Sequence, residues 1–138
     1  MRLNRFRRQD GMVREAVKYL AIVVIFMVLV LDTIAVVQSQ IVVHNTASDA
    51  AGQAKEAYTE GQNAAQAKDI ARTYVEAKGS RFISATLPVT ANKADAVVTV
   101  VVERGTDTYV YHYLTKLPWG LGERVDNLLN PTATGTSQ

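Results

Sequence analysis

Cysteine is missing altogether from the 138 residues, which excludes disulfides, thiolate metal sites and cysteine nucleophiles. Histidine is scarce, with His44 and His112 alone, so an imidazole-based metal centre lacks ligands. No G-x-S-x-G, Walker loop, dinucleotide fingerprint, H-E-x-x-H or EF-hand pattern occurs. Exposed-type pairs such as Lys55 with Glu56 and Asp69 with Arg72 read as a solvated helix face. Asp95 and Glu103 flank one strand, which gives no reason to pair them as acid and base. These absences point away from catalysis, cofactors and small-molecule substrates, and toward binding or assembly.

Charge is present but uneven. Residues 1–19 carry six basic side chains (Arg2, Arg5, Arg7, Arg8, Arg14 and Lys18) against Asp10 and Glu15, whereas the remainder has nine basic and eleven acidic residues. A basic arm usually suggests nucleic acid, but this one directly precedes the most apolar stretch of the chain, and no aromatic-interleaved basic face follows. Membrane topology explains it better, and no nucleic-acid partner is expected.

The apolar stretch Val17–Val37 reads VKYLAIVVIFMVLVLDTIAVV. At about 1.5 Å per helical residue, its length matches a hydrocarbon core about 30 Å thick. Lipid offers backbone groups no hydrogen bonds, so the crossing must be helical despite its β-branched residues. The expected layout is a cytoplasmic basic arm (1–16), a transmembrane helix (17–40) and an extracytoplasmic remainder in the bacterial cell membrane, with the lipid bilayer as first partner. A cleaved secretory signal is the competing interpretation of the same start, giving a secreted protein. Asp32 interrupts the run, and a carboxylate in hydrocarbon costs a few kcal/mol on insertion scales. Either it reaches the outer headgroups, or it has a buried partner on a neighbouring helix of an assembly.

Residues 41–79 are alanine-rich and predict helix, either continuous with the membrane segment or restarted near Asn45, Thr46 and Ser48. A row at spacings of three and four runs through Ala47, Ala50, Ala54, Ala57, Gly61, Ala64, Lys68, Ala71, Val75 and Lys78, and most of it is small. Such a row lets another backbone approach closely, which makes Ala47, Ala54, Gly61 and Ala64 candidates for helix-on-helix assembly, with an ordinary intramolecular helix as the alternative. Gly79 ends the helix and the period changes from about 3.6 to 2.

The segment 80–130 predicts a small antiparallel β module, so the fold class is α+β. Strands are expected at 81–87, held to an edge by Pro88, at 96–103 and at 108–114. The last two are expected to form a hairpin through Arg104–Asp107. On the third strand Tyr109, Tyr111 and Tyr113 share one face, a candidate contact surface for a membrane-tethered binding or sensor module. A Pro/Gly turn surrounds Trp119, a short helix is expected at 123–129, and residues 131–138 read as a disordered tail.

D-G-M-V-R-E-A (Asp10–Ala16), one membrane helix, A-R-T-Y-V-E-A-K-G (Ala71–Gly79), the V-V-T-V-V-V strand and L-P-W-G-L-G follow one another in this order. That layout resembles the TadE/TadG-like minor pseudopilins of the tight-adherence (Flp) type IV pilus system. The resemblance implies a non-catalytic pilus assembly component, working with other pilin-like subunits or as a homo-oligomer through its helices. It also implies cleavage after a small residue, here Gly11 with Met12 as the new start, and a nearby acid, here Glu15, to pair with a neighbour's amino terminus. A cut there places Glu15 fourth where the family has its glutamate fifth. Glu15 with Arg14 and Lys18 also reads as a simple interfacial charge cluster.

Overall fold

The computed structural model describes residues 4–61, 63–88, 93–116 and 122–137. Helix α1 (Asn4–Thr59) is one unbroken rod of 56 residues, about 84 Å long. The apolar stretch and the first part of the alanine-rich segment are therefore continuous, and neither Asn45 nor Gly52 interrupts them. No side chain from Gly11 to Leu31 is buried, and apolar residues such as Ile22, Phe26 and Met27 are exposed. A soluble core helix would bury much of such a run. This one is long and apolar enough to cross a membrane.

The alanine-rich helical segment 41–79 comprises the end of α1 and a second helix. Gly61, at φ +102°, turns the chain between α1 and α2 (Ala64–Ala77). Helix α2 starts with a capping box: Asn63 Oδ1 accepts from the Gln66 amide at 2.9 Å, while Gln66 Oε1 accepts from the Asn63 amide at 3.3 Å. It ends at Gly79, as expected. Gly79 adopts φ +70°, its amide bonds the Glu76 carbonyl and the Ser80 amide bonds the Val75 carbonyl, the two bonds of a Schellman cap.

Strands β1 (Arg81–Thr86), β2 (Val98–Glu103) and β3 (Thr132–Ser137) make one antiparallel sheet with β2 central. The α+β class is thus as the sequence indicates, and β1 is an edge strand, as Pro88 requires. Val98, Val100 and Val102 alternate onto the buried face and pack on Ala47, Ala50, Ala51 and Ala54 of α1 and Ala71 and Val75 of α2. Alanine lets sheet and helices approach closely. Gly135 completes the fit: it pairs with Val100, and a Cβ built on it would fall on the Ala47 carbonyl.

Two expectations are overturned here. Residues 131–138 do not form a disordered tail, because Thr132–Ser137 is the second partner of β2 and lies on α1. The 108–114 segment is not a strand paired with β2. It leads into a short helical turn, α3 (Tyr111–Leu114), while β2 spends its hydrogen bonds on β1 and β3. The ladder between β2 and β3 extends through Arg104 N to Pro131 O and Thr106 N to Leu129 O. Between these lies the excursion bearing α3 and α4 (Gly122–Leu129), the latter where a short helix was expected. The turn around Trp119 lies outside the described residues.

Candidate functional site

Beyond Leu31 one face of α1 becomes covered. Asp32, Val36, Ser39, Val43, Thr46, Ala50, Ala54 and Ala57 are all buried, at spacings of three and four. Asp32 is therefore where the bare rod ends and the protein-facing stripe begins. Its side chain is 2% exposed.

The excursion between β2 and β3 returns along α1 to this point. Asp32 Oδ1 accepts from the Tyr109 amide at 3.0 Å, and Oδ2 accepts from the Val110 and Tyr111 amides at 2.6 and 3.3 Å. Amides at the start of a helical turn lack internal partners, and a carboxylate satisfies them while complementing their positive dipole ends. A second link joins the Tyr111 hydroxyl to Thr33 Oγ1 at 3.0 Å, and Thr33 Oγ1 also donates to the Leu29 carbonyl. The partner of Asp32 is thus in its own chain: three backbone amides, rather than a group on a neighbouring subunit.

This docking reorganises the tyrosines. Tyr109, His112, Tyr113 and Lys116 are exposed, while Tyr111 turns to α1. The common face for Tyr109, Tyr111 and Tyr113 is therefore not formed. The small-residue row is likewise used internally: Ala47 and Ala54 are fully buried against the sheet and α2, Ala64 packs beside Ala57 and Ala67, and Gly61 is the connecting turn. Gly11, Met12 and Glu15 are exposed on the N-terminal part of α1, and a Cβ on Gly11 would meet no other group.

A different row lies on the opposite side of α1. Val30, Ile34, Val37 and Ile41 are exposed at spacings of 4, 3 and 4, continuing Val23 and Met27 below them. At 100° per residue this row points roughly 160° from the buried stripe. Nothing in the sequence marks this row by itself, because the whole segment is apolar. The break at Asp32, which turns one side toward protein, is the signal that separates the two faces.

Elsewhere among the described residues several polar groups pair with one another. Arg72 pairs with Glu76 at 2.8 Å, Arg81 reaches Glu103 at 3.4 Å, and the Tyr74 hydroxyl donates to Asp49 at 3.1 Å. The groove lined by Arg72, Glu76, Ser80 and Arg81 is open and contains that Arg72–Glu76 pair. No family model, curated protein or solved structure matches the chain.

Proposed function

We propose that the chain is a single-pass bacterial membrane protein, with its N-terminus cytoplasmic and its α+β module outside, that acts as a pseudopilin-like assembly subunit by helix packing and without turnover. The observation that carries this reading is the apolar row Val30, Ile34, Val37 and Ile41. It runs past Asp32, where the opposite side of the helix is already covered by the chain's own module, and leaves an apolar stripe that a neighbouring helix would cover. Knobs at spacings of three and four suit a helix of a second copy. The assembly face is thus the side of α1 turned away from the module, in place of Ala47 and Ala54. The TadE/TadG-like layout agrees with this role, and cleavage after Gly11 belongs to the same proposal.

Crosslinking tests it directly, since the chain has no cysteine of its own. In native membranes, Val37→Cys should form disulfide-linked oligomers under mild oxidation, and buried Ala54→Cys should not. Adding Ile34→Lys and Ile41→Lys should abolish the Val37→Cys product. Failure of Val37→Cys to crosslink, with the protein resisting carbonate extraction, would leave an anchored monomer and remove the assembly role.

A further inference from the structure

We infer that the α3 turn is a lipid-contact element whose exposed face lies in the phospholipid headgroup layer on the module's side of the membrane. The inference rests on the reading that α1 crosses the bilayer. Tyr109, His112, Tyr113 and Lys116, on the turn and its flanks, are exposed, with Tyr109 77% and Tyr113 68% exposed. Two large, bare tyrosines on so small an element are otherwise unexplained by the fold. Lys116 Nζ stands 5.6 Å from the centre of the Tyr113 ring, and the His112 and Tyr113 rings meet edge to face at 5.9 Å.

The height of this face follows from its tether. The opposite side of the turn is bonded to Asp32 and Thr33, the residues at which α1 passes from bare on all sides to covered on one. Tyr113 is two residues from Tyr111, so its backbone lies within about 7 Å of that tether. The apolar rod and the tyrosine face are therefore continuous. Polar backbone in a non-spanning turn is excluded from lipid-exposed hydrocarbon, which keeps it from sinking deeper. Tyrosine is suited to the layer just above, with its ring among the upper acyl carbons and its hydroxyl among carbonyls and phosphates. Lys116 supplies a cation for the phosphodiester, which names the occupant as glycerophospholipid. In this arrangement Asp32 sets the distance of the module from the membrane.

The test places a nitroxide on a single introduced cysteine in the full chain, reconstituted in vesicles of phosphatidylcholine and phosphatidylglycerol. Collision with oxygen against a water-soluble nickel chelate reports depth. Val24→Cys should lie deep, Lys68→Cys should be aqueous, and His112→Cys, which keeps both tyrosines, should read at headgroup depth. Tyr109→Ser with Tyr113→Ser should raise nickel accessibility at His112→Cys several-fold and leave Val24→Cys unchanged. A label at His112→Cys as accessible as that at Lys68→Cys, with Val24→Cys still deep, would overturn the lipid contact alone. An aqueous Val24→Cys would overturn the membrane span and this inference with it.

Discussion

Replacement of Asp32 by alanine should release the α3 turn from α1 while leaving the sheet intact. Three backbone amides donate to this carboxylate at 2.6–3.3 Å, and a hydrogen bond to a charged acceptor contributes about 1.5–3 kcal/mol. The three are not additive, because they share one acceptor group and the freed amides reach water once the turn opens. A net loss of about 2–4 kcal/mol in the local opening free energy is therefore expected, which is a roughly 30- to 700-fold change at about 1.4 kcal/mol per tenfold. Hydrogen exchange of the membrane-reconstituted protein reads this at the Tyr109, Val110 and Tyr111 amides, with the β2 amides as internal reference. Asn at position 32 keeps one acceptor oxygen, so its loss should be about 1–2 kcal/mol, roughly 5- to 30-fold. Membrane insertion should persist in both variants, since each removes a charge from the end of the apolar run. Unchanged exchange at these amides in Asp32→Ala would refute the view that this carboxylate holds the turn.

Two further outcomes follow from the packing of the module. Gly135→Ala should destabilise it by about 2–3 kcal/mol in denaturant unfolding, because its Cβ meets the Ala47 carbonyl of a helix that cannot yield, whereas exposed Thr134→Ala should stay within about 0.5 kcal/mol. Burial, and secondarily the hydrogen bond to Asp49, hold the Tyr74 phenol above its ordinary pKa. A raised folded-state value means that the stabilisation is complete below the ionisation of unfolded tyrosine, near pH 10, and is lost as pH rises through the folded value. The phenolate absorbance lost in Tyr74→Phe should accordingly be a late-titrating component; loss of a component at the ordinary tyrosine pKa would contradict the shift.

Local pattern was enough for elements whose environment is uniform. The run from Val17 to Val37 is apolar with only Lys18 and Asp32 as charged residues, and no side chain of the observed rod between Gly11 and Leu31 is buried. Val98, Val100 and Val102 alternate with Thr99 and Val101, and that alternation is the burial pattern of β2. Where a distant partner decides, local pattern misleads. Tyr109–Tyr113 alternates like a strand, yet its amides belong to a carboxylate 77 to 79 residues earlier in the chain. Thr132–Ser137 has little apolar surface and reads as a tail, because its inward residues are only Ala133, Gly135 and Ser137. Their smallness is what a strand pressed against a helix backbone needs. The threonines at 132, 134 and 136, alternating with those small residues, are the legible trace of that strand.

The position of β3 has a consequence for biogenesis. It is the last of the described elements in chain order, yet it closes one edge of β2 and covers the alanine face of α1. Until β3 has joined β2, that edge has no strand beside it and the Ala47 carbonyl has no glycine against it. Completion of the module therefore waits for Thr132–Ser137, and a chain stalled before Thr132 presents an open edge to whatever strand it meets first.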